Sequence, residues 1–111
     1  MNLNHLSPTF ATAPQLQPAD IGRLAAAGFK GIINNRPDNE EQGQPRSDEI
    51  EAEAKRHGLV YRHIPVVPGQ ATDADARALA AALNEADGPV VAFCRTGNRS
   101  ASLWMAAHQA C

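Results

Sequence analysis

The strongest constraint on the fold of this chain is an alternation. Short apolar runs, each followed by a stretch with helical periodicity, recur along its 111 residues. Phe10–Ala13 reads as an extended piece, after which Pro18 suits the first turn of a helix carrying Ile21, Leu24 and Ala25 and closed by Gly28. Phe29–Asn34 reads as a buried strand, and a polar loop runs from Asn35 to Arg46. Ser47 is expected to cap a second helix. Its first turn holds Asp48, Glu49 and Glu51 and its last Lys55, Arg56 and His57, an order that complements the helix dipole, and Gly58 ends it. Leu59–Ile64 is the next strand, stopped by Pro65. Thr72 with Asp75 opens a third helix that places Ala76, Leu79, Ala80 and Leu83 on one face and ends before Gly88-Pro89. Val90–Phe93 is the last strand, and a helix through Leu103, Trp104, Ala107 and Gln109 closes the pattern. Strands and helices at this spacing predict an α/β fold, a mostly parallel sheet of four to five strands with helices on both faces. Ligands in such sheets bind beyond the carboxyl ends of the strands, and Cys94 stands at one such end.

The length suits one domain, residues 1–111. With 20% charged and 43% apolar residues, the composition is that of an ordinary globular protein. A net charge of −2 argues against nucleic acid as a partner, and no basic run suggests an anionic membrane surface. No apolar stretch approaches the roughly 20 residues of a membrane span, and Met1–His5 has no signal-peptide pattern. Two cysteines, one of them the terminal Cys111, make no disulfide framework, so the expected compartment is a reducing cytoplasm.

Residues 94–100, Cys94-Arg95-Thr96-Gly97-Asn98-Arg99-Ser100, join the last strand to the last helix. A strand, a glycine-containing loop and a helix N-terminus in that order build a cradle of inward-facing amides that can hold an oxyanion or a persulfide. The same field favours thiolate over thiol. A cysteine of pKa near 8.5 is only about 3% ionised at pH 7, whereas one lowered to around 6 is roughly 90% ionised. Cys94 alone reads equally as a small buried core residue; in this loop it is a candidate nucleophile. Arg99 opposes the helix dipole, which suggests a bound anion for its guanidinium fork. Gly97 permits a positive φ. Thr96 and Asn98 complete the binding loop, Arg95 is expected to face solvent at its mouth, and Ser100 either caps the helix or hydrogen-bonds the Cys94 sulfur. Arg36 would lie at the same sheet edge, as a turn or salt-bridge residue or as a candidate substrate contact. His5, His57, His63 and His108 show no metal spacing, and His63 reads as half-buried and structural. No metal or cofactor is expected. A helix of about ten residues spans some 15 Å, too far for Cys111 to resolve an oxidised Cys94.

Three segments together resemble the phosphatase-like domain family of beta-lactamase-hydrolase-like proteins, a bacterial sulfur transferase family. They are Gln15–Asp20 with Ala26–Lys30; Ile32-Ile33-Asn34-Asn35-Arg36-Pro37-Asp38; and His63–Val66 with the Cys94–Ser100 loop. The cysteine loop is also similar to that of rhodaneses. The resemblance implies a fold like that of the dual-specificity phosphatases and protein tyrosine phosphatases, with Cys94 as nucleophile and Arg99 as the oxyanion-binding arginine. Relatives occur fused to sulfur dioxygenase domains or to sulfide:quinone oxidoreductases, which makes a sulfur-oxidising enzyme a candidate partner.

Two departures from the tyrosine-phosphatase signature bear on the chemistry. Phe93 stands where that signature has histidine, and four residues rather than five separate Cys94 from Arg99. By analogy with rhodaneses, the shorter loop goes with sulfur transfer. Where dual-specificity phosphatases place an aspartic acid, this chain has Val66-Val67-Pro68-Gly69-Gln70, and the nearest acids, Asp73 and Asp75, read as helix-start residues. The expectation is therefore a sulfurtransferase that takes a sulfane sulfur from thiosulfate or a persulfide onto Cys94 and passes it to a thiol, to cyanide or to a partner protein. Its first rival is a cysteine-dependent phosphatase working through a cysteinyl-phosphate, with Asp73 or water as acid. Its second is a non-catalytic persulfide sensor or sulfur carrier. Leu103, Trp104 and Ala107 serve either to cover the sheet or to meet a partner.

Overall fold

The computed structural model describes residues 2–109; Cys111 lies outside them. Nine elements follow one another: β1 (Asn4–Ser7), β2 (Phe10–Ala13), α1 (Pro18–Ala26), β3 (Gly31–Asn34), α2 (Ser47–Arg56), β4 (Val60–His63), α3 (Asp73–Glu85), β5 (Val90–Phe93) and α4 (Asn98–Gln109). The sheet order is β1-β2-β5-β3-β4, with β2, β5, β3 and β4 parallel and β1 antiparallel at the edge. The expected α/β architecture is present, with one strand more than the apolar runs reveal. β1 (Asn4-His5-Leu6-Ser7) has a single apolar residue and is half solvent-exposed, so it carries no core signal.

Strand alternation divides the core in two. Val91 and Phe93 of β5, Ile32 of β3 and Ala11 and Ala13 of β2 pack against Ile21 and Leu24 of α1 and Ile50 and Ala54 of α2. Val90 and Ala92, Ile33 and Phe10 face the other way, onto Ala76, Leu79 and Ala82 of α3 and Leu103 and Ala107 of α4. All four residues of β5 and of β3 are buried, as a central parallel strand covered on both faces requires. Leu103 and Ala107 are buried and Trp104 stacks on Phe10, so these residues cover the sheet.

One helix start meets expectation and one differs. Thr72 and Asp75 form the reciprocal cap anticipated for α3, each side chain accepting from the other's backbone amide. Ser47, however, does not cap α2. Arg46 holds the N-cap position and its amide donates to Glu49, while Ser47 is the first helical residue and its hydroxyl pairs with the buried Tyr61 hydroxyl at 2.6 Å. On α3, Ala82 is buried, while Ala80 and Leu83 are only half-buried. His63 is exposed rather than half-buried, and its role is structural, with its ring bonded to the Arg36 carbonyl at 2.9 Å.

Candidate active site

Because the four parallel strands point the same way, the segments leaving β2, β3, β4 and β5 gather at one sheet edge. Buried amide side chains tie them together. Asn35 donates to the Ile64 carbonyl at 3.0 Å and accepts from the Ser100 hydroxyl at 2.8 Å, while its backbone N–H bonds the Phe93 carbonyl. Asn34 donates to Tyr61 and accepts from the Arg36 amide. The Gln15 N–H reaches the Arg95 carbonyl, closing the loop from the β2 side. Ser100 lies inside α4 rather than capping it, and its hydroxyl proton goes to Asn35; what it offers the Cys94 sulfur is its backbone amide.

Cys94 is 0% exposed, on the floor of the loop, with the Gly97 amide donating to its sulfur at 3.0 Å. Burial works against ionisation, but the amides of Ser100, Thr96, Arg99 and Gly97 outweigh it and hold the thiol pKa below its ordinary value. Gly97 makes this ring possible. Its φ is +97°, and a Cβ there would stand 3.4 Å from the Ala13 carbonyl oxygen. Gly97→Ala is expected to cost about 1–2 kcal/mol of stability. It should also slow alkylation of Cys94 by iodoacetamide at neutral pH, as thermal unfolding and intact-mass kinetics would show.

Bordering the Cys94 loop lies an open cleft of about 640 Å³ lined by Arg36, Glu40, Glu41, Pro68, Arg95, Thr96, Asn98 and Arg99. A second hollow of about 360 Å³ adjoins it across Pro68, Asn98 and Arg99 and extends over Val66, Gly69 and Ala71. Arg95 is exposed at the mouth, as expected. Asp73 lines neither hollow and stands in the first turn of α3, the helix-start position expected of it.

The two remaining arginines are engaged with carboxylates. Arg99 grips Glu40 with both terminal nitrogens, at 2.7 and 2.9 Å, and also donates to the Val66 carbonyl. Arg36 is 1% exposed and donates to Glu40 at 2.9 Å, to Gln15 at 3.0 Å and to Glu41 at 3.4 Å. Arg36 thus makes the expected salt bridges with one partner on each guanidinium nitrogen, and it also lines the cleft, where its two terminal nitrogens each keep a further N–H donor. The Arg99 hydrogen bonds, working against partial burial and joined by those of Arg36, hold the Glu40 carboxyl below the usual range. Glu40 in turn raises the Arg99 pKa, with a further contribution from the nearby Cys94 sulfur. Arg99 thus faces an anion supplied by the protein itself. Glu40 is the residue that sequence reasoning missed, because a partner 59 positions away leaves no local pattern.

The chain matches the family described as the beta-lactamase hydrolase-like protein, phosphatase-like domain, over residues 2–111. It is 43% identical over 97 residues to the beta-lactamase hydrolase-like protein of Agrobacterium fabrum, covering 87% of this chain but only 22% of that protein. Among solved structures, a putative phosphatase from Neisseria meningitidis superposes with a TM-score of 0.81 at 36% identity, covering 90% of this chain and 71% of that one. Pseudomonas aeruginosa TpbA, crystallised with phosphotyrosine, shares the fold with a TM-score of 0.65 at 21% identity, covering 92% of this chain and 59% of that one. The resemblance of the three motif segments is thereby extended to nearly the whole chain, and the protein belongs to the phosphatase-like domain family of beta-lactamase hydrolase-like proteins.

Proposed function

We propose that this domain is a cysteine-dependent hydrolase of the phosphatase type, in which Cys94 takes the transferred group from a small anion and holds it covalently. The observation that carries the reading is the ring of four amides converging on the Cys94 sulfur, with Arg99 at its rim. Such a ring stabilises both the attacking thiolate and the negative oxygens that develop during transfer. Phosphoryl transfer to water has the support of the family and of the Neisseria relative. The sulfur forms an S–P bond as the ester P–O bond breaks, and water then cleaves the S–P bond to release phosphate and restore the thiolate. The hollow beside Arg99 has room for the organic part of the ester.

Sulfane-sulfur transfer is the second reading, favoured by two observations. Only four residues separate Cys94 from Arg99, and both carboxylates of the cleft are engaged by arginine, so neither is free to protonate a leaving oxygen. In that reaction the Cys94 sulfur attacks the outer sulfur of thiosulfate, the S–S bond breaks and sulfite leaves. Cyanide or a thiol then removes the sulfur from the persulfide.

Intact-mass measurement after brief exposure to p-nitrophenyl phosphate or to thiosulfate, each with a phosphate or thiocyanate assay, separates the readings. A phosphoryl adduct with steady phosphate release supports the hydrolase. One added sulfur that cyanide removes, without phosphate release, would replace it with the transferase.

A further inference from the structure

The cleft contains its own anion in the position of greatest leverage. Glu40 bridges the two inward arginines: one oxygen accepts from both Arg36 and Arg99, and the other accepts from Arg99. Glu41 adds a second carboxylate on Arg36. Of the three arginines lining the cleft, Arg95 alone makes no ion pair with the described residues. With Cys94 as thiolate, three positive charges therefore meet three negative ones before any ligand arrives. A doubly charged ligand must enter a neutral site against a neighbouring carboxylate and a thiolate, and a singly charged one meets half that repulsion.

We propose that Glu40 is a specificity-determining residue that makes the Cys94 cleft select singly charged over doubly charged anions. This deepens the proposed function and rests on it, since it assumes that the reacting anion sits between the amide ring and Arg99. For phosphoryl chemistry the selected species is the singly protonated phosphate monoester, whose second pKa lies near 6. That form brings what the cleft lacks. As the Cys94 sulfur bonds to phosphorus and the ester bond breaks, the proton on the phosphoryl oxygen moves to the leaving oxygen. The products are a neutral alcohol and a doubly charged phosphorylated cysteine. Water then returns the thiolate and singly charged phosphate. For sulfur chemistry the selected donors are persulfide and thiosulfonate anions rather than thiosulfate.

Sulfate and perchlorate test the selection directly. They are tetrahedral oxyanions of similar size whose charges stay fixed across neutral pH. Protection of Cys94 from iodoacetamide is measured at constant ionic strength in the wild type, Glu40→Gln and Glu41→Gln. The wild type is expected to bind perchlorate at least as tightly as sulfate, and Glu40→Gln to move the ratio about tenfold toward sulfate. Glu41, 56% exposed, should move it in the same direction by less, and this arm stands if Glu40→Gln folds poorly. An unchanged ratio, or equal loss of both anions in Glu40→Gln, would overturn the selection and leave Glu40 only holding Arg99 in place. Failure of both anions to protect the wild type would overturn the anion site itself. Above pH 7, Glu40→Gln should gain about tenfold in kcat/KM for p-nitrophenyl phosphate relative to methanethiosulfonate anion; the reverse would count against the proposal.

Discussion

Replacing Cys94 with serine is expected to lower turnover by at least about 10³-fold, whichever group is transferred. The melting temperature should stay within about 2 °C of wild type, because the change is close to isosteric at a small buried site. The amide ring that brings the thiol into its reactive form cannot ionise a serine hydroxyl, whose pKa lies far higher. The pH profile sharpens the test. The reactive form of Cys94 is the deprotonated one and its pKa is depressed by the loop amides, so the rate at which iodoacetamide alkylates wild-type Cys94 should rise with pH and level off. The midpoint should lie below the ordinary cysteine value of about 8.5. Undiminished turnover in the serine variant would remove Cys94 from the reaction.

The second large effect belongs to a residue that touches no ligand. Asn35→Ala should cost about 3 kcal/mol, lowering the melting temperature by roughly 15 °C. Asn35 is 0% exposed, and its side chain joins Ile64 beyond β4 to Ser100 in α4, so truncation strands a buried carbonyl and a buried hydroxyl together. The exposed Arg62–Glu85 pair provides the contrast. Its removal by Arg62→Gln should cost no more than about 1 kcal/mol, because solvent screens both partners. Thermal or urea unfolding of the two variants side by side checks the ranking, and a small effect at Asn35 would mean that water takes over its hydrogen bonds.

Most of the scaffold was legible because its signals are local. Pro18, Gly28, Gly58 and the Thr72–Asp75 pair punctuate helices within a few residues, and the apolar runs at 31–34 and 90–93 can only be buried strands. The cysteine loop was legible for the same reason, since amides, glycine and thiol lie within seven residues. Apart from β1, whose single apolar residue hides it, the misses that shape the site are long-range. Tyr61 captures the Ser47 hydroxyl from fourteen positions away, Asn35 takes the Ser100 proton from sixty-five, and Glu40 reaches Arg99 across fifty-nine. The Asn34-Asn35-Arg36 run could be noticed in the sequence, but its work could not. It fastens three loops and orients a carboxylate, and no periodicity records that.

One consequence of the parallel sheet concerns the end of the molecule away from Cys94. There the helices return through tight turns at Gly28 and Gly58, both at positive φ with open space where a side chain would stand. Reactive groups crowd one rim and plain turns occupy the other, so the protein has a working pole and an idle pole. Extra sequence, a fluorophore or a surface tether belongs at the idle pole, where the chain can be lengthened without disturbing the thiol.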